Sequence, residues 1–313
     1  MLDNLMTSLN VVLPLCLMLI CGFLLRKSGY IDSGFISKTN KIIFRLFLPA
    51  SLFRSCYTSD LNVGENIRLI VFCCLAILTM FLLFIPISKR LDSSNPRRSV
   101  ILQASFRGNI AMFGVPVLTL LYKGENLGIM AVLLAFMIPE LNILAVLCFD
   151  IFSLKKTDLK QVLLKIAKNP LICSILLGIL FNVLKLDLPG TLDTAVEKIA
   201  AVATPLSFVM LGAGFSFRAA RSNIKPLSVM LTGKLIIFPA IAMIAGILLG
   251  LKGPALASAI TLFGSPVAVS SVPMADELGG DLQLAGDAVV ISTVISVLTM
   301  FVWIFLMSAL NLL

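Results

Sequence analysis

Apolar stretches close to twenty residues long alternate with short polar loops along almost the whole chain. They fall at roughly 5–25, 36–56, 66–88, 99–121, 127–151, 169–185, 196–217, 226–250, 253–275 and 285–308. A hydrocarbon core needs about 20 apolar residues in helical form to cross it. The pattern predicts an all-α polytopic membrane protein with ten transmembrane helices, the sixth shorter than the rest. Two of the stretches are interrupted alike, by Phe113-Gly114-Val115-Pro116-Val117 and by Phe263-Gly264-Ser265-Pro266-Val267. Glycine admits unusual dihedrals, and proline removes an amide donor and clashes with the preceding turn. Freed backbone groups at membrane depth are tolerated only where protein or a wet cavity meets them. Paired breaks at corresponding positions of two halves point to a transporter binding site.

The halves echo one another. Pro14 and Pro170 share their offset with Pro49 and Pro205, and Pro116 pairs with Pro266 at nearly the same spacing. The division is 1–151 as a first repeat of five spans, 152–168 as a cytoplasmic connector, and 169–313 as a second repeat. An odd number of spans turns the second repeat upside down, giving two inverted five-helix repeats.

Composition agrees with a bilayer as solvent: 59% of residues are hydrophobic, 13% are charged, and the mean hydropathy is +1.05. A net charge of +9 raises nucleic acid as a partner, but the basic residues sit in loops and report topology instead. Arg26, Lys27, Lys38 and Lys41, then Lys89, Arg90, Arg97 and Arg98, then the five lysines of 155–168, then Arg218, Arg221 and Lys225 occupy one set of alternate loops. The other set holds Arg54, Arg68, Lys123, Lys185, Lys198 and Lys252. The richer set is read as cytoplasmic, with both termini extracytoplasmic. The loop with Asp276, Glu277 and Asp281 is acidic on that same side. The N-terminus opens with Asp3 and lacks a basic n-region, so it reads as the first span rather than a cleaved signal.

Enzyme chemistry finds no constellation. There is no histidine, no Gly-x-Ser-x-Gly, no phosphate-cradling glycine loop and no paired acidic metal cluster. No cofactor and no metal are expected. The seven cysteines lie in or beside apolar runs without Cys-x-x-Cys spacing and read as packing residues.

Binding chemistry concentrates at the breaks. Proline suits the first turn of a helix, so Pro116 and Pro266 are expected to start second half-helices whose positive N-termini meet near the midplane and favour a carboxylate. Asn109, Gly114, Pro116, Ser265 and Pro266 are expected to wall the site, faced by Pro49 and Pro205, with Ser270 and Ser271 adding polarity. Arg107 either pairs bidentately with a carboxylate or snorkels to the surface. Two further charges lie deep, Glu140 (followed by Asn142) and Lys234. Each costs roughly 2.5–3.5 kcal/mol on insertion scales, so each needs a partner or a wet cavity. They are candidates for coupling, Glu140 as a proton carrier, or else form a structural Glu140–Lys234 pair.

These residues together resemble a known family. Asn109 with Phe113-Gly114-Val115-Pro116, Gly264-Ser265-Pro266, Leu278-Gly279-Gly280-Asp281, and Val290-Ile291-Ser292-Thr293-Val294-Ile295-Ser296 with Thr299 are similar to the bacterial auxin efflux carriers, smaller relatives of the plant PIN carriers. Leu48-Pro49-Ala50 fits as well, and the resemblance covers essentially the whole chain. It implies crossed broken helices four and nine, a scaffold of spans one, two, six and seven, and a transport unit of the others moving as an elevator. It implies a small organic anion as substrate, auxin-like or a dicarboxylate, a bacterial plasma-membrane location and a possible homodimer. The alternatives are a non-transporting small-molecule sensor, disfavoured by the lack of a signalling domain, and a sodium-coupled carrier of the bile acid symporter type.

Overall fold

Apolar side chains cover the outside of this molecule as well as its interior. Leu75, Leu82, Ile244 and Leu298 each expose more than half their surface. Such faces suit lipid, which solvates them as water would not. The computed structural model describes residues 14, 17–58, 66–122, 127–152, 168–215 and 221–313. The connector expected at 152–168, apart from its ends, and Cys16 lie outside the described residues.

Among the described residues all regular structure is helical except one antiparallel contact of single residues, Gly108 with Val267. The helices are α1 (17–27), α2, α3 (Ile67–Leu91), α4a (Asn95–Phe106), α4b (Ile110–Leu121), α5 (Leu127–Ile151), α6 (Pro170–Val183), α7 (Gly190–Gly214), α8, α9a (Gly253–Gly264), α9b (Ser271–Leu278) and α10 (Leu282–Ala309). Helix α2 comprises Ser33–Ile42, a π-helical turn Ile43–Phe47, and Leu48–Tyr57; α8 comprises Ile224–Thr232, a π-helical turn Gly233–Ile237, and Phe238–Leu248. Among the described residues five helices are long and apolar enough to cross a membrane: α3, α5 from Val132, α7, α8 and α10. Helices α6 and α9a are apolar but shorter.

Proline explains both π turns. Pro49 and Pro239 each stand at the second residue of the α-helix that follows, and neither can donate to the carbonyl four residues back. The chain takes up the slack with a wider turn, Leu48 N–H bonding Ile43 O and Phe238 N–H bonding Gly233 O. The Trp303 indole donates to Leu235 O at 2.9 Å, the carbonyl that Pro239 leaves without its helical donor.

The repeated pentapeptide does not act alike in its two places. In span nine it breaks the helix: Ser265 is extended (φ −64°, ψ 146°), as the residue before proline prefers. In span four the helix runs on through Gly114 and Pro116, and the break lies two turns earlier, at Arg107-Gly108-Asn109. The expectation that Pro116 and Pro266 open the second half-helices is therefore corrected. Those begin at Ile110 and Ser271; Pro116 is inside α4b, and Pro266 is in the linker before α9b. Pairing between the linkers sets the span-four break. Asn109 N–H donates to Pro266 O at 2.8 Å and Ala268 N–H to Arg107 O at 3.1 Å. Two of the amides freed from the helices thus find backbone partners.

Close backbone contacts tie α1, α2, α6 and α7 together. A Cβ on Gly22 would lie 1.9 Å from Val209 O, and one on Gly212 would lie 2.0 Å from Leu19 O, so α1 and α7 cross glycine to backbone. Gly178 of α6 likewise meets Phe53 O of α2 at 2.6 Å. The remaining helices pack around the helix crossing, where the linkers of spans four and nine pair: α4a against α3 and α5, and α9a against α8, α4b and α10.

Candidate functional site

The crossing has two electrostatically different sides. Helices α4a and α9a end there, at Phe106 and Gly264, bringing C-terminal carbonyls that lie beyond the helical ladder and negative helix ends. Gly108 sits in contact with both: a Cβ there would lie 2.2 Å from Ser265 Oγ, 2.9 Å from Lys234 Nζ and 3.0 Å from Leu262 O. No other residue fits without displacing its neighbours. Lys234 projects from the π-helical turn of α8, is 1% exposed, and donates to Phe106 O at 3.3 Å.

Helices α4b and α9b begin on the other side, with positive ends. The first internal bond of α4b is Phe113 N–H to Asn109 O, so the amides of 110–112 precede the helical ladder. A cavity of ≈ 130 Å³ lies here. Span four contributes Arg107, Gly108, Asn109 and Ile110, and span nine contributes Ala268, Val269 and Ser270. Helix α2 supplies Leu48, Ser51, Leu52 and Ser55, α5 supplies Ile138, Leu141 and Asn142, and α7 supplies Ala203 and Thr204. A larger apolar groove of ≈ 680 Å³ between α3 and α8 has only Arg68 and Thr79 as polar members and offers little to hold a polar solute.

Arg107 does not snorkel. It is 3% exposed. Its guanidinium donates to Asn142 Oδ1 at 2.8 Å and Ser271 Oγ at 3.4 Å and rests on the Met274 sulfur. Asn142 is held for this by its own bond to Ile138 O at 2.8 Å. Among the described residues no carboxylate forms an ion pair with Arg107. Beside it in the cavity lining, the Nδ2 of Asn109 is buried with no hydrogen-bond partner among the described residues. A buried donor left so costs about 1–3 kcal/mol. Arg107 and Asn109 both line the same small cavity.

The other expected site residues are placed as follows. Pro49 and Pro205 adjoin the lining residues Leu48 and Thr204. Ser265 is buried inside the crossing, its hydroxyl donating to Leu262 O at 2.9 Å, and Pro266 contributes its carbonyl to Asn109. Gly114 packs on α5, where a Cβ would lie 2.9 Å from Met130 Cε. The backbone of Pro116 is helical, and the placement of its side chain lies outside the described residues. Glu140 and Lys234 do not pair, which corrects the structural alternative. Glu140 lies beside Cys74 of α3, its Oε2 buried without a hydrogen-bond partner among the described residues, while Lys234 reaches the α4a terminus. Ser51, Ser55 and Thr204 were not anticipated. With Leu48 and Leu52, the two serines form an i, i+3, i+4, i+7 face, a periodicity that a helical reading of α2 contains.

The acidic loop finds its partners at the same end of the bundle. Arg45 binds Glu277, and Asn40 Nδ2 reaches Asp276 at 3.3 Å, joining α2 to α9b. Arg97 binds Asp92 at 2.6 Å, Asp281 at 3.0 Å and Asn223 at 2.9 Å. Burial alone would raise the Asp92 carboxyl, but hydrogen bonds from Arg97 and the Ser94 amide hold it below its ordinary 3.8. Arg54 binds Asp193 and Glu197 at the opposite end.

A family model described as membrane transport protein matches residues 7–304. The chain belongs to that family. It is the auxin efflux carrier group to which the sequence motifs point. An uncharacterized transporter of Methanothermobacter thermautotrophicus is 22% identical over 305 residues, covering 95% of this chain and 98% of that protein. Membership of a membrane transport family accounts for the lipid-suited exterior.

Proposed function

We propose that this membrane transport protein is a secondary carrier of a small organic anion. The observation that carries the reading is Arg107, a buried guanidinium without an ion-pair partner among the described residues, beside the vacant amide donor of Asn109. Two positive helix ends add to the same potential. A carboxylate takes the guanidinium bidentately and accepts from the Asn109 amide, while Ser51, Ser55, Ser270 and Thr204 contact the polar remainder of the solute. One cation suits one carboxylate, and a cavity of ≈ 130 Å³ suits a small molecule.

The transport cycle on this reading is an elevator within two inverted five-helix repeats. Helices α1, α2, α6 and α7 stay fixed, tied by the glycine contacts at Gly22, Gly178 and Gly212. The crossed pair α4 and α9 moves with α3, α5, α8 and α10, and the cavity lies where the two groups meet. Asn109→Ala tests the site. It is expected to weaken carboxylate binding about tenfold, the effect of one lost charge-assisted hydrogen bond, with the melting temperature held or raised. Unchanged affinity in a binding titration removes Asn109 from the site.

A further inference from the structure

The ammonium of Lys234 is the least expected group at the crossing. It is 1% exposed and has three donors, of which one is used among the described residues, on Phe106 O. Among the described residues no carboxylate forms an ion pair with it. It lies instead at the ends of α4a and α9a. The virtual Gly108 Cβ touches Lys234 Nζ, Ser265 Oγ and Leu262 O together, which places the ammonium beside both C-terminal ends. Each end carries about half a negative charge. Two such ends facing each other in a bilayer repel unless a cation lies between them.

We propose that Lys234 is a tethered cation that takes the place of a free inorganic cation at the helix crossing. Its charge is fixed to α8 by the backbone, so no monovalent ion has to bind before α4 and α9 can cross. The negative ends are neutralised from within, and the positive ends remain free for the anion. The inference rests on the carrier reading and goes beyond it, because it makes transport independent of sodium and assigns that independence to one side chain. The site vacated by truncating Lys234 would accept a monovalent cation, with carbonyl oxygens of two helix ends and the Ser265 hydroxyl as ligands.

The test uses the full chain in proteoliposomes and in detergent. Wild-type carboxylate uptake is expected to be the same with sodium or N-methylglucamine as the cation. Lys234→Ala should lower uptake about tenfold, the scale of one lost charge–dipole interaction in a partly buried setting. Sodium or methylammonium should restore it, and methanol, equal in size to methylammonium but neutral, should not. The same cations should raise the melting temperature of Lys234→Ala and leave the wild type unaffected. Lys234→Arg should fold and transport, and Lys234→Met, which fills the space without charge, should not transport. Strict sodium dependence of the wild type, recovery by methanol, full activity of Lys234→Met, or loss of folding in all three variants overturns the proposal. If the wild type moves no carboxylate, the carrier reading fails, and the melting-temperature response to cations still decides the role of Lys234.

Discussion

Single residues at the crossing show how much a side-chain inventory can tell. Arg107 and Asn109 are legible as candidates because polar groups at membrane depth are costly and therefore meaningful. Their partners are not legible. Asn142 comes to Arg107 from a different helix, and Lys234 and Glu140, which look like a pair in sequence, face different neighbours. Gly108 carried no signal of its own, since its role depends on Ser265 and Leu262 from the other half of the chain. A substitution there follows directly. Gly108→Ala should destabilise by about 1–3 kcal/mol, the usual cost of overpacking, and should abolish transport. Gly214→Ala, where a Cβ meets nothing within 4 Å, should leave both unchanged. Melting curves of the two variants check this, and a Gly108→Ala protein as stable and active as wild type would remove the close approach as a constraint.

Elements were legible where proline acts locally and not where pairing acts at a distance. Ser265-Pro266 breaks span nine as sequence chemistry predicts. The same motif leaves span four helical, because there the break is set by the Asn109 amide donating to Pro266 O and the Arg107 carbonyl accepting from the Ala268 amide in the linker of span nine. The π turns before Pro49 and Pro239 are a local response to proline too, though only the structure supplies the Trp303 bond to Leu235 O. Trp303→Phe keeps most of the packing and strands that carbonyl, so it should cost about 1–3 kcal/mol; an unchanged melting temperature would mean that water replaces the indole. The clasp around Arg97 is pH-sensitive in a definite direction. The folded-state pKa of Asp92 lies below its ordinary value, so its contribution is full above that value and is lost as pH falls through the lower folded value. Wild-type stability should therefore decline below about pH 4 more steeply than that of Asp92→Asn.

For the molecule as a whole, periodicity and loop charge carry most of what a sequence can say. The described helices follow the order of the apolar runs, and five of them are long and apolar enough to cross a membrane. Helix α7 begins earlier than expected, at Gly190, because its first turns are polar enough to lie outside an apolar window. The acidic loop that sat oddly among basic ones is explained by Arg45, Asn40 and Arg97 at the same end. The opposite end gathers the termini of α2 and α6, where Asn182 Nδ2 reaches Tyr57 O at 2.7 Å and Leu188 N–H reaches the Tyr57 hydroxyl at 3.2 Å. On the loop-charge reading we propose that this end faces outside the cell. In a cysteine-free background, Asp187→Cys should react with an impermeant maleimide in intact cells and Lys225→Cys should not; the reverse pattern would invert the orientation. The central claim is that an anion crosses the membrane at the Arg107–Asn109 cavity. The most direct measurement is uptake of labelled mono- and dicarboxylates into proteoliposomes holding the wild type or Arg107→Gln. A small carboxylate should accumulate with the wild type and fall to the protein-free level with Arg107→Gln. Equal uptake by both proteins, or uptake of neutral and cationic solutes alone, would contradict the account.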